Sequence, residues 1–110
     1  MNSYMLRWKL KDETFKRLVA VPVNRRNYAK TLIEGFGGVM ETYHFAIGEY
    51  DGFSISTFPN PASMYACLMR GLSTGAFDRF EATLLLSPEE AEQAMLRAGQ
   101  TQVDYRALNV

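Results

Sequence analysis

The sequence predicts an α+β fold, a ferredoxin-like βαββαβ sandwich with an extra C-terminal helix. Three observations predict it. Alternating and helical stretches follow one another in the order of the split βαβ plan, with one further helix at the end. Two of the alternating runs are joined by a short segment containing Asp51-Gly52, which is a hairpin signal. Right-handed crossovers then place the main helices on one side of a four-stranded antiparallel sheet. The face without helices is expected to meet a second copy, two sheets closing around a polar cavity in a two-fold dimer; a solvated face is the alternative.

The elements run as follows. YMLRWKL alternates, with Tyr4, Leu6, Trp8 and Leu10 on one face and Met5, Arg7 and Lys9 on the other. Asp12 offers a cap for the helix ETFKRLV, which Pro22 ends or kinks. In NRRNYAKTLIEGF, Ala29, Leu32, Ile33 and Phe36 make one apolar stripe, and Gly37-Gly38 stops the helix. VMETYHFAI alternates again, and FSISTF resumes the pattern beyond GEYDG. Asn60-Pro61 starts the next helix, with a stripe of Met64, Tyr65, Leu68, Met69 and Leu72. FDRFEATLLL is the fourth strand. Ser87-Pro88-Glu89-Glu90 opens the last helix with a capping box, and that helix runs to Gly99.

On this register Tyr4, Leu6, Trp8, Tyr43, Phe45, Phe53, Ile55, Phe80 and Leu84 face the helices. Met5, Arg7, Lys9, Met40, Thr42, His44, Ser54, Ser56, Arg79, Glu81 and Thr83 fall on the open face.

The totals bound the function. A chain of 110 residues makes one domain, residues 1–99, with a tail over 100–110. Twelve basic and twelve acidic residues cancel, so no broad basic field exists to grip nucleic acid. No apolar run is long enough for a membrane span, and the opening residues lack the apolar block of a signal peptide. The lone cysteine, Cys67, can form no internal disulfide, and a cytoplasmic protein is expected. No P-loop, zinc-spaced cysteine set or serine-hydrolase elbow is present.

The segment Gly48, Tyr50 and Asp51, with the strand YMLRWKL before KDETF and the helix ending LIEGFGG, resembles the GYD domain family over roughly residues 3–85. The resemblance implies a dimeric α+β barrel and carries no assigned reaction. The Gly-acidic-Tyr-Asp hairpin is also similar to that of Lrp/AsnC ligand-binding domains, where it helps build an effector site between subunits. This chain has no helix-turn-helix segment, so the likeness implies a stand-alone effector- or metabolite-binding homodimer. Similar barrels host small monooxygenases and some haem enzymes, and fold alone does not choose among these.

The candidate ligand-binding residues are therefore Arg7, His44, Ser54, Ser56, Tyr50 and Asp51. His44, with Glu81 and Arg79, is the candidate catalytic set of an alternative oxidative enzyme, cofactor-free or haem-dependent. The bland readings are an interface histidine, a cross-strand ion pair, and a turn in which Asp51 bonds backbone N–H groups. A purely structural or protein-interaction subunit is a third reading. No metal site is expected, and no cofactor, ligand or pathway can be named from the sequence.

Overall fold

The computed structural model describes residues 1–108. Its elements are β1 (Asn2–Leu10), α1 (Asp12–Ala20), α2 (Arg26–Gly35), β2 (Val39–Phe45), β3 (Gly52–Phe58), α3 (Pro61–Ser73), β4 (Phe77–Leu85) and α4 (Pro88–Gln100). The strands form one antiparallel sheet in the order β2-β3-β1-β4. The fold is α+β with the order βααββαβα.

Local chemistry sets the boundaries. The Asn60 side chain accepts from Ser63 N–H at 2.8 Å, and Pro61 occupies the first turn, where it forfeits no bond. Ser87 and Glu90 form the reciprocal capping box of α4. Helix α1 departs from the sequence expectation. Lys11 is its N-cap residue and makes no side-chain cap bond, and Asp12 is already helical, where its charge favours the first-turn dipole. Gly37 adopts φ +79° directly after α2, a conformation that costs glycine nothing.

The core lies between the sheet and α2–α3. Tyr4, Leu6, Trp8 and Leu10 of β1 are buried with Ile33, Phe58, Cys67 and Phe80. Gly71 lets α3 sit directly on Phe80, since an added Cβ would come within 2.5 Å of that ring. Burial pushes the Cys67 thiol up to about 11, so it remains a neutral packing group.

Two strands correct the expected register. In β3, Ser56 lies opposite Tyr4, Ser54 opposite Leu6 and Gly52 opposite Trp8. Directly opposed residues share a face, so Ser54 and Ser56 point at the helices, while Phe53 and Ile55 take the open face with Met5 and Arg7. The parity is held at both ends of the strand. Phe58 is fully buried, and Gly52 lies so close to Trp8 that a Cβ would sit 2.4 Å from the indole. The two buried hydroxyls share one hydrogen bond at 3.2 Å. In β2 the pairing shifts between Met40 and Thr42, a bulge at Glu41. Met40 therefore turns into the core, against the expectation, and Val39 turns out of it.

Helix α4 stands apart. None of its residues is buried, and the molecule measures 59 × 33 × 23 Å with a radius of gyration of 18.0 Å. A compact chain of this length would have about 13 Å. Beyond it, residues 101–108 carry no helix or strand. None of the described helices is long and apolar enough to cross a membrane.

Candidate functional site

The hairpin loop between β2 and β3 folds back over the open face. Asp51 N–H donates to Trp8 C=O at 2.8 Å, extending the β1–β3 ladder by one residue. The Asp51 carboxylate accepts from Leu10 N–H at 2.8 Å and from Lys9 Nζ at 3.3 Å. It thus caps the end of β1, where the β1–β4 register shifts between Lys9 and Leu10. Gly48 supplies the φ of +154° that the loop needs.

Tyr50 reaches across β1 to β4. Its phenol donates to Glu81 Oε2 at 2.7 Å. The Arg7 guanidinium lies over the Tyr50 ring at 4.3 Å, and that of Arg79 at 5.1 Å. Arg7 also pairs with Glu81 at 3.5 Å, and Arg79 with Glu49 at 3.9 Å. The hydrogen bond to Glu81 is the main cause of a raised Tyr50 pKa; partial burial adds to it, and the two arginines oppose it. The motif is a clasp holding the β2–β3 hairpin onto β1 and β4.

The structure therefore brings Arg7, Tyr50, Arg79 and Glu81 together, with Asp51 beside them. It does not bring His44 to that group. His44 lies on β2, at the opposite edge of the sheet from β4, and its ring stacks on Phe53 at 4.8 Å. Three strand spacings, about 14 Å, separate the two edges. Ser54 and Ser56 lie on the other face altogether. Among the described residues no three His, Cys, Asp or Glu side chains gather as a possible metal site.

Sequence reasoning missed a cleft of about 640 Å³ on the helix side of the sheet. Its floor is Leu6, Trp8 and Leu10 of β1, with Ser54 of the adjacent β3 and Tyr43 and Phe45 of β2 beyond it. Leu18 of α1, Leu32 and Ile33 of α2, and Phe77 and Phe80 of β4 form its walls. Trp8 stacks on Tyr43 at 5.4 Å and meets Phe80 edge-on at 6.4 Å, so the floor is a rigid aromatic platform. Burial raises the Tyr43 pKa, against the opposing charges of Arg25 and Arg26.

The cleft exists because α1 covers the sheet loosely. No α1 residue is buried, and Lys11 N–H and Thr14 Oγ1 tie its first turn to Ala76 C=O at 3.1 and 2.7 Å. The small side chain of Ser54 leaves depth beneath. Two hydroxyls sharing one hydrogen bond leave one proton over, and with Ser56 as donor that proton belongs to Ser54, at the cleft floor. The available sequence signal was Pro22, which separates α1 from α2 so that the crossover cannot pack as one helix.

The family model of the GYD domain matches residues 4–95. No curated protein matches the chain.

Proposed function

From the premise that the chain belongs to the GYD domain family, we propose that it binds a small molecule in the cleft between its sheet and its helices. One observation carries this reading. A cleft of about 640 Å³ floored by Trp8, Tyr43 and Leu6 lies within the range of small-molecule sites, roughly 300–1,000 Å³, and has their mainly apolar lining with polar side chains set around it. The open-face cluster supports such a role less well, because Tyr50 and Arg7 both engage Glu81 and Arg79 pairs with Glu49, which leaves the buried Nε of Arg7 as its one unpartnered buried polar side-chain atom among the described residues.

Fluorescence of N-phenyl-1-naphthylamine, a neutral apolar probe, tests the reading. We expect saturable binding of one probe per chain, abolished by Ala29→Trp, which places an indole in the cleft from α2. Probe binding that is absent, or unchanged in folded Ala29→Trp, would overturn it.

The same reading takes the working form to be a homodimer, two sheets meeting through their open faces as a dimeric α+β barrel. Two features support it. Met5, Phe53 and Ile55 put apolar side chains on the face that no helix covers. Helix α4 has 13 residues, about the length at which an isolated helix is marginal in water, and none of its residues is buried in its own chain. Sedimentation equilibrium checks this: the dimer should weaken in Ile55→Glu and on removal of residues beyond Ser87. A monomer at tens of micromolar would refute it.

A further inference from the structure

We infer that the ligand of the cleft is a small organic anion, an apolar body carrying a single carboxylate or similarly charged group. This rests on the cleft reading above and adds the charge of its occupant. Three guanidinium groups line the cleft: Arg17 from α1, Arg25 from the N-terminus of α2, and Arg70 from the last turn of α3. Among the described residues none of the three has a carboxylate within 4.0 Å. Arg25 rests on the Tyr28 ring at 4.4 Å, and Arg70 donates to Ser73 Oγ at 3.2 Å, a neutral hydroxyl. The one carboxylate lining the cleft, Glu13, is already paired with Lys16 at 3.2 Å.

That local excess stands out in a chain of zero net charge. Elsewhere several cations are matched, Arg7 with Glu81, Lys9 with Asp51, Lys30 with Glu34 and Arg79 with Glu49, whereas Lys11, Arg26, Arg97 and Arg106 face solvent without an ion pair among the described residues. What distinguishes Arg17, Arg25 and Arg70 is that they come from three different helices and meet at one mainly apolar cleft. Guanidinium groups suit carboxylate because their planar fork donates two parallel bonds and sheds water more readily than ammonium. Arg26 adds to the field, since its charge and that of Arg25 reach the Tyr43 phenol on the floor. An occupant would lay its apolar body on Trp8 and Tyr43 and leave its charge among the arginines.

Displacement of N-phenyl-1-naphthylamine by octanoate and by 1-octanol separates charge from apolar burial. We expect octanoate to displace the probe at a concentration at least tenfold lower than octanol. In Arg25→Gln/Arg70→Gln that preference should fall below about twofold. The charge-matched control Arg79→Gln/Arg97→Gln, whose arginines lie outside the cleft, should keep it. Equal displacement by the two compounds, or a preference that survives in the cleft variant or disappears equally in the control, overturns the anion inference while the cleft reading stands. Failure of the probe to bind, or its indifference to Ala29→Trp, overturns both.

Discussion

Replacing Asp51 by alanine should destabilise the protein by about 2–3 kcal/mol, and replacing it by asparagine by only about 1. The Asp51 side chain is 13% exposed and does two things. Its Oδ2 accepts from Leu10 N–H at 2.8 Å, in a residue that is itself buried. A hydrogen bond to a charged group contributes about 1.5–3 kcal/mol, and an abandoned buried donor costs a similar amount. Its Oδ1 meets Lys9 Nζ at 3.3 Å, but Lys9 is 36% exposed, and such pairs contribute about 0–1 kcal/mol. Alanine removes both interactions. Asparagine keeps an acceptor for Leu10 N–H and loses only the charge. Urea unfolding followed by circular dichroism reads the difference. With an m-value of roughly 1–3 kcal/mol/M, the midpoint should fall by on the order of 1–2 M in Asp51→Ala and by less than half as much in Asp51→Asn. A shift below about 0.3 M in the alanine variant, or equal damage from both, would refute the capping argument. Unchanged stability with altered probe binding would move Asp51 from architecture to ligand recognition.

Other outcomes follow from the same geometry. Gly52→Ala should cost about 3 kcal/mol and shift Trp8 emission, because the new methyl group would meet both the indole and His44 C=O at 2.7 Å or less; Gly48→Ala, with open space around it, should cost only about 1 kcal/mol of backbone strain. Ser54→Ala and Ser56→Ala should each cost about 1 kcal/mol by orphaning the other hydroxyl, while the double variant should be no worse than either single one. Cys67 should react slowly with a disulfide reagent at pH 8 in the native protein and quickly in urea. Its pKa is raised in the fold, so the stability it contributes is complete below about pH 9 and is lost as pH rises towards 11. The raised pKa values of Tyr43 and Tyr50 act in the same direction, and thermal melts across pH 8–11 should show a progressive decline.

Much of the fold was legible because its signals are local. The Ser87 capping box, the Asn60-Pro61 start and the alternation of YMLRWKL each depend on neighbours within four residues, and each lies where the sequence places it. The role of Asp51 as a backbone acceptor was likewise readable, since a carboxylate in a Gly-rich turn seeks N–H groups. Its partner was not, because Leu10 is 41 residues away.

The sequence by itself determined the element order, the antiparallel hairpin and the family to which the chain belongs. Only the tertiary structure decided which side of β3 faces the helices. Phe53 and Ile55 are the more apolar pair, and burial of apolar area alone would have turned them inward. Parity along a strand is all-or-none, however, and turning those two inward would turn Phe58 and Gly52 outward with the serines. Phe58 fills the core at one end, and at the other Trp8 leaves room for no side chain at position 52. Those two contacts carry Ser54 and Ser56 into the interior. With them the candidate site moves from the open face, where Tyr50 is already clasped, to a cleft whose depth a serine side chain leaves free.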